Sequence, residues 1–314
     1  MMRWKWLALV PPGTHIDFIG KRYWSLGLSI VLTVVSLVSI AVNGLNFGID
    51  FKGGILIEAK IDPAPDLGAL RSKLSTLNLG EIDLQQFGAP NDILIRVQTS
   101  EESQQEQARV IDAVKGALGT GVDLRRTEFV GPKVGAELIQ AGFLAMLLSL
   151  LGISLYVWFR FEWQFGVGAL VSTIHDIVTT VGLFSVFHLE FSLTTVAAVL
   201  TIAGYSVNDT VVIYDRIREN MRKYKKMPIT ELINRSNNET LARSVITHLT
   251  TLLAVLALLF FGGEVIRGFS IAMVWGIFVG TYSSVFVAVP VLVYLNLRPE
   301  TVAPPGGETA SETA

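Results

Sequence analysis

Polar side chains that could do chemistry lie inside long apolar stretches of this chain. Asp209, with Asn208 before it, lies in an apolar run that gives way to dense charge from Asp215 onward. A carboxylate inside a membrane-spanning helix costs roughly 2.5–3.5 kcal/mol on insertion scales, and such residues usually mark a functional site. Asp209 is therefore the first candidate functional residue, and Asn208 is a secondary one.

Three of these residues can share one depth in a membrane. At the rise of an α-helix, Asp209 lies about 9 Å along its helix from Asp215. Arg243 opens the next long apolar stretch from the same side, and Thr247 lies about one turn further along it. This arrangement favours a carboxylate that gains and loses a proton beside a cationic partner that switches. A fixed structural ion pair fits the same spacing, and so does an Arg243 side chain that simply extends to the interface.

The remaining intramembrane polar residues are His175, Asp176 and His248. His175 and Asp176 lie near the middle of one apolar stretch, where neighbouring residues on a helix point about 100° apart. We therefore expect them to face different neighbours, one at a polar cavity and one bonded to an adjacent helix. Transport and packing roles are both open for this pair. For His248, next to Thr247, we expect a hydrogen bond between helices rather than proton carriage.

The elements that position these residues are membrane spans. The 314-residue chain is 51% hydrophobic and 17% charged, and its mean hydropathy is +0.50, which is too apolar for a soluble protein of this length. The first apolar stretch is long enough to span, so we expect it to be retained rather than cleaved as a signal peptide. Six transmembrane helices are predicted, at residues 24–42, 138–159, 163–187, 191–214, 244–263 and 268–297.

The sequence also excludes several kinds of chemistry. It contains no cysteine, which excludes disulfides and thiolate metal sites. It has no nucleophile elbow, no phosphate loop and no His-Glu-x-x-His pair. We therefore expect no enzyme activity, no bound cofactor or metal, and no nucleic-acid partner.

Basic residues predict the orientation of the spans. Segment 1–23 carries four of them and the loop 215–243 carries eight, whereas the two short loops on the opposite side carry Arg267 alone. Basic residues concentrate in short cytoplasmic loops, so both termini are predicted in the cytoplasm. The basic loop is predicted to lie near anionic lipid. The segment 298–314, rich in Pro, Gly, Glu and Thr, is predicted to be a disordered tail.

Residues 43–137 are predicted to form one domain on the exterior side, between the first and second transmembrane helices. Ile55, Ile57, Ala59 and Ile61 alternate with other residues, as in a half-buried strand. Strand patterns at 55–61, 82–87, 93–98 and 122–130 alternate with helix patterns at 65–77 and 101–118. The order βαββαβ predicts a ferredoxin-like α+β domain.

Five segments resemble one known family. Residues 204–220 are similar to the fourth-span motif of the SecD/SecF family of bacterial protein-export membrane subunits, and of its SecF branch in particular. The run Phe-Gly-Ile-Asp-Phe-Lys-Gly-Gly at 47–54 resembles the signature that follows the first span. Residues 130–135, the pair at 175–176, and residues 241–247 with Phe-Gly-Gly at 261–263 also match. The resemblance covers about residues 20–297.

The resemblance implies a six-span unit of the RND superfamily in the bacterial inner membrane. It implies that SecD supplies an equivalent half, and that the pair associates with the SecYEG channel and acts on unfolded preproteins. The energy source would be the proton gradient, with no bound cofactor. Asp209 matches the family's titrating carboxylate, with Arg243 and Thr247 as its partners on the next helix.

Two other classes of function stay open, and so does the role of the glycines that connect the exterior domain to the spans. An RND-type exporter of small molecules or lipids would share the proton site, and a purely structural translocase subunit would not use it. Glycines in the two connections to the exterior domain are candidate hinges, although tight structural turns explain them equally well. These glycines are Gly48, Gly53, Gly54, Gly131 and Gly135.

Overall fold

The computed structural model describes residues 10–11, 14–80, 82–86, 89–98, 103–119, 121–295 and 297. The tail predicted at 298–314 lies outside the described residues. Contacts divide the chain into two units. The membrane unit comprises Met1–Gly44, Met146–Leu189 and Ala197–Ala314. The second unit, which we call the exterior unit after the side predicted for it, comprises Leu45–Ala145 and Glu190–Val196.

The elements follow one another in this order: α1 (Arg22–Asn43), β1 (Asn46–Phe47), α2 (Ile49–Lys52), β2 (Gly54–Ile61), α3 (Leu67–Ser75), β3 (Ile82–Gln86), β4 (Asp92–Val97), α4 (Gln104–Leu118), β5 (Val122–Val130), α5 (Pro132–Arg160), α6 (Trp163–Val186), β6 (Glu190–Phe191), α7 (Leu193–Lys223), α8 (Ile229–Phe261), a 3₁₀ turn (Glu264–Ile266), α9 (Arg267–Ser283), a π-helical turn (Ser284–Ala288) and α10 (Val289–Tyr294).

Six helices are long and apolar enough to cross a membrane, in agreement with the six predicted spans. They are α1, α5, α6, α7, α8, and α9 with its continuation to Tyr294. Residues of α6, α7 and α9 are largely buried, whereas α1, α5 and α8 expose most of theirs. The exposed side chains are mainly large and apolar, as in Phe143, Trp158 and Phe260. Such a surface is suited to lipid.

The helix α1 turns its small polar residues toward protein. Ser25, Ser29, Ser36 and Ser39 are buried, while its leucines and valines are largely exposed. Against α6, the hydroxyls of Ser39 and Ser185 lie 2.8 Å apart. In a membrane this distribution is favourable, because small residues permit close approach and lipid accepts the apolar side.

Helices α7 and α8 extend well beyond their predicted spans. The segment predicted as the loop 215–243 is helical except for residues 224–228. Ile217 and Met221 of α7 belong to the same buried cluster as Leu232 and Ile233 of α8. The basic segment, which is predicted from the sequence to be partly helical, thus forms two helical extensions that this packing stabilises.

The last span is irregular just before Pro290. Residues Ser284–Ala288 form a π-helical turn, and α10 begins at Val289 with Pro290 in its first turn. Proline has no N–H to donate to the carbonyl four residues earlier, so the helix must adjust there. Single π turns of this kind often occur at functional sites.

In the exterior unit, four antiparallel strands form a sheet in the order β3-β4-β2-β5. The strands and helices from β2 to β5 follow the sequence β-α-β-β-α-β. The predicted strand residue Phe87 lies outside the described residues. Caps define both helices: the Asp66 carboxylate accepts from the N–H of Gly68 at 2.7 Å, and Ser103 caps α4.

A two-stranded parallel pair lies in the same unit. Strand β1 pairs with β6, in the register Asn46↔Glu190 and Phe47↔Phe191. The buried Arg96 of β4 forms ion pairs with Asp83, at 3.2 Å, and with Glu190 of β6. The segment that precedes α7 is thereby tied to the exterior sheet.

The core of this sheet lies on one face of β2. Ile55, Ile57 and Ala59 are fully buried and pack with residues of β4, α3 and α4. We expect Ile57→Ala to destabilise an isolated fragment 47–130 by about 2–5 kcal/mol, because it leaves a cavity in the core. Urea unfolding measures this, with Glu58→Ala on the opposite face as a control within about 0.5 kcal/mol of wild type. A random-coil NMR spectrum of the unsubstituted fragment would show that the unit does not fold alone.

Candidate functional site

Asp209 is buried in α7 with one hydrogen-bond donor. The residue is only 6% exposed to solvent. The hydroxyl of Ser244 in α8 donates to Asp209 Oδ1 at 2.6 Å. The second oxygen, Oδ2, is buried and forms no hydrogen bond with any described residue. A charged carboxylate with one neutral donor is poorly compensated in an apolar medium, and a role of Asp209 in proton exchange stays a prediction.

The predicted partners Arg243 and Thr247 lie on a different face of α8. Both residues are exposed, whereas Ser244 and His248 are buried. The hydroxyl of Thr247 donates to the carbonyl of Arg243 at 2.9 Å. An Asp209–Arg243 ion pair is not among those formed by the described residues. The physical reason is helix rotation, since positions 243 and 244 point about 100° apart. The roles of Arg243 and Thr247 in a switch remain predictions.

Ser244 is the site residue that the sequence analysis missed. It sits in the Leu-Ala-Arg-Ser segment at 241–244 that carries the family resemblance, directly beside Arg243. Ser244 is buried on the same side of α8 as His248, which lies one turn further on. To infer this from the sequence, one would have to know which face of α8 meets α7. Asn208, by contrast, is exposed on α7.

His248 meets α7 through an aromatic contact. Its ring lies 5.4 Å from the ring of Tyr205, edge to face. An electrostatic interaction also links it to Asp209. Its Nδ1 is buried and forms no hydrogen bond with any described residue. The expected helix–helix hydrogen bond is therefore not formed at Nδ1, because the ring turns toward Tyr205.

His175 and Asp176 form a second buried polar group. Asp176 is fully buried, and its Oδ2 accepts hydrogen bonds from Ser206 of α7 at 2.5 Å and Ser283 of α9 at 2.7 Å. One of the pair therefore bonds neighbouring helices, as expected. The two side chains also contact each other, since His175 Nδ1 lies 3.0 Å from Asp176 Oδ1, and a polar cavity at His175 stays a prediction. Side-chain rotation brings them together despite the divergent Cβ directions.

Hydroxyl groups continue this polar contact between α7 and the last span. Thr210 and Ser284 have their hydroxyl oxygens 2.9 Å apart. Ser284 also donates to the carbonyl of Ser206 at 3.4 Å, and Tyr214 donates to the carbonyl of Ala288 at 3.2 Å. The π-helical turn thus lies against the stretch of α7 that carries Asp209.

The candidate hinge glycines have local structural reasons. Gly53 and Gly54 have φ angles of 73° and 117°, in the region that favours glycine. A Cβ on Gly135 would lie 2.6 Å from the carbonyl oxygen of Phe51, so this position needs close approach. Gly48 has an ordinary φ of −70° and precedes α2, while Gly131 accepts a backbone hydrogen bond from Gly135. A hinge role for these glycines stays a prediction.

The segment that contains Gly48 and Gly53 also contacts the start of α7. The carboxylate of Asp50 accepts a hydrogen bond from the N–H of Leu193, the first residue of α7, at 2.8 Å. A carboxylate is stabilising there, because the first N–H groups of a helix lack partners within the helix. The helix that carries Asp209 therefore begins inside the exterior unit.

Among the described residues, no cluster of three or more His, Asp or Glu side chains is placed to hold a metal ion.

Comparisons with known proteins agree with these observations. A family model described as "Protein export membrane protein SecD/SecF, C-terminal" matches residues 110–298, and one described as "SecD/SecF GG Motif" matches residues 38–65. Proteins named "Protein translocase subunit SecF" are 50% identical in Rickettsia rickettsii and 49% identical in Rickettsia felis, each over 91% of this chain and 94% of the relative.

Solved structures agree too. A crystal structure of SecDF, a translocon-associated membrane protein from Thermus thermophilus, superposes with a TM-score of 0.81 at 36% identity, over 91% of this chain. A second SecDF structure, in a super-membrane-facing form, gives a TM-score of 0.67 at 36% identity. This chain spans 39% and 40% of those two longer chains. With its six membrane-spanning helices and these matches, the chain belongs to the SecD/SecF family of protein-export membrane proteins.

Proposed function

We propose that this chain is a SecF-like subunit that uses the proton-motive force to assist preprotein export. In this proposal it works with SecD at the SecYEG channel of a bacterial inner membrane, with both termini in the cytoplasm. The observation that carries the proposal is the buried Asp209, which among the described residues has one neutral donor, Ser244, and a second carboxylate oxygen without a hydrogen bond. The relatives' description as translocase subunits supports a transport component rather than an enzyme.

The chemistry follows from the charge of Asp209. Protonated, its carboxyl group is neutral, and the Ser244 hydroxyl is a sufficient partner. Ionised, it needs a stronger partner, since burial disfavours the charged form and a nearby cation favours it. Arg243 is the cation adjacent to Ser244 on α8, and a rotation of about 100° would exchange the two. Proton exchange would thus bias the packing of α7 against α8.

The energy of the gradient is sufficient for such a bias. One charge that crosses 100 mV releases about 2.3 kcal/mol. A conformational equilibrium of a few kcal/mol responds strongly to that amount. A shift of α7 in the membrane would also move the exterior unit, because the first turn of this helix belongs to that unit. Asp50 binds this first turn, and β6 precedes it.

The exterior unit is the part we propose to contact preprotein. The strand order β3-β4-β2-β5 and the β-α-β-β-α-β sequence are those of a ferredoxin-like domain, which we propose as its fold. The glycines of 48–54 and 131–135 would allow this domain to move relative to the membrane helices. An extended preprotein would then be held or released on the exterior side.

A second half is needed to cover one polar side of the membrane helices. Thr201, Gly204 and Asn208 are exposed on α7, and Arg243 and Thr247 are exposed on α8. Small and polar side chains of this kind suit a helix interface better than lipid. SecD is the proposed occupant, since the related SecDF chain is more than twice as long as the part this chain covers.

The proposal is tested by export into inner-membrane vesicles with and without an imposed proton gradient. Asp209→Asn, which keeps the shape and removes the exchangeable charge, is expected to lose the gradient-dependent component and keep the ATP-driven one. If Asp209→Asn retains gradient-dependent export, the proton-coupling role is wrong and a structural subunit remains. If the purified complex lacks SecD and the channel, and vesicles export a small molecule or lipid instead, the exporter alternative holds.

The proposed SecD interface can be tested by cross-linking. The chain has no cysteine, so each introduced cysteine is unique. Asn208→Cys and Thr247→Cys are expected to cross-link to cysteines in SecD with short reagents. Gly152→Cys in α5, where a side chain would meet nothing within 4 Å, is the matched control and should not. Equal yields at all three positions would contradict the interface.

A further inference from the structure

The polar group around Asp176 has a composition that packing alone does not require. Asp176 is fully buried, and its Oδ2 accepts two hydroxyl donors from two different helices. Its Oδ1 faces His175 Nδ1 at 3.0 Å. An amide side chain would accept the same two hydroxyl donors without any cost of charge. An ionisable carboxylate in this position therefore needs a reason beyond hydrogen bonding.

His175 supplies an independent observation. The residue is 6% exposed, and its Nε2 is buried without a hydrogen bond to any described residue. Every protonation form of the ring leaves this atom unsatisfied, either as a lone pair or as an N–H donor. A buried polar atom without a partner is costly, so Nε2 is a place where water or a proton can be accepted.

Few other titratable groups face this pair. On α9, the ring of Tyr282 lies 6.3 Å from the ring of His175. On α7, Asp209 lies three residues from Ser206, and His248 of α8 lies beyond it beside Tyr205. Helix α1, which packs on α6, has no charged residue between positions 24 and 42. Among the described residues around this pair, none other than His175 is therefore placed to compensate the negative charge of Asp176.

We propose that His175 and Asp176 form a second proton-binding site, distinct from Asp209. The inference rests on the proposed proton-driven function. Without the proton, the pair is a neutral imidazole and a carboxylate, with a net charge of −1. A proton that arrives at Nε2 makes the ring an imidazolium, whose Nδ1 proton can pass to Asp176 Oδ1, and the pair becomes neutral overall. Ser206 and Ser283 hold the carboxyl group in place in both forms.

The position of the pair relative to Asp209 predicts the order in which a proton reaches the two sites. Ser206, which bonds Asp176, precedes Asp209 by three residues of α7, or about 4.5 Å along the axis. With the proposed orientation, Ser206 lies on the exterior side of Asp209. A proton driven inward by the gradient would reach His175 and Asp176 before it reaches Asp209.

The test is infrared difference spectroscopy of the full chain reconstituted with SecD, between acid and alkaline pH. Protonated carboxyl groups give a C=O band separate from those of carboxylates and amides. We expect Asp176→Asn and Asp209→Asn each to lose a different band, and the double variant to lose both. We expect His175→Gln to shift the pH midpoint of the Asp176 band. Thr173→Ala is the matched control, since this buried hydroxyl bonds only the carbonyl of Ala169 among the described residues.

Gradient-dependent export in vesicles is the second readout. Asp176→Asn is expected to lose that component, whereas Thr173→Ala is expected to retain it. A purely structural role predicts instead that Asp176→Asn, which still accepts both hydroxyls, keeps the spectrum and export of wild type, and that result overturns the inference. Should Asp176→Asn fail to fold, an unshifted midpoint in His175→Gln overturns it as well. If Asp209→Asn alone loses its band and its export, the inference fails while the proposed function stands.

Discussion

Arg243→Ala is expected to abolish gradient-dependent export almost as fully as Asp209→Asn, although Arg243 does not contact Asp209 in this structure. The reason is that, among the described residues, the Ser244 hydroxyl is the one hydrogen-bond donor to the Asp209 carboxylate. Without Arg243, the guanidinium that we propose to pair with the ionised carboxylate is missing, so the cycle is expected to stop. Export into vesicles with an imposed proton gradient measures the loss, with ATP-driven export as the internal reference.

Three variants make this prediction specific. Arg243→Lys keeps the charge without the planar guanidinium fork and should be partly active. Arg235→Ala, on the same helix, removes a partly exposed ion pair with Glu239 and a contact with the ring of Tyr224, and it should behave as wild type in gradient-dependent export. Ser244→Ala should have a smaller effect than Arg243→Ala. Full gradient-dependent export in Arg243→Ala would mean that this side chain only extends to the interface, and a severe Ser244→Ala would make Ser244 the essential partner.

Gly182→Leu is expected to disrupt the packing of α1 on α6 and to cost about 3 kcal/mol or more in stability. A Cβ on Gly182 would collide with the side chain of Ser36 and lie 2.7 Å from its Cα. The backbone of α1 would have to move, and the nearby hydroxyl contact between Ser39 and Ser185 would be lost with it. Thermal unfolding of the purified chain in detergent measures the change.

Gly152→Leu is the matched control for this substitution. Gly152 also lies in a membrane helix, but a Cβ there would meet no atom within 4 Å. Leucine is the better helix former, so this variant should be as stable as wild type or slightly more so. Equal unfolding temperatures for the two variants would show that α1 is not held by close approach to α6.

Much of the architecture follows from the sequence because it depends on local properties. Length and hydropathy identify the six spans, and the alternation of Ile55, Ile57, Ala59 and Ile61 identifies the buried face of β2. The cost of a charge in lipid singles out Asp209, whatever its neighbours. The depth that Asp209 shares with the start of the next span follows from helix rise alone.

The tertiary structure decided which side chains meet. Helix rotation places Ser244 instead of Arg243 against Asp209, and it places Asp176 against Ser206 and Ser283 of two other helices. Pairing of β1 with β6 joins residues more than 140 positions apart. Periodicity does not fix such rotations in a membrane, because the lipid-facing and protein-facing sides of a helix are both largely apolar. The rotation of each helix is set by close packing with its neighbours, as at Gly182, and that information lies in pairs of helices rather than in any single stretch of sequence.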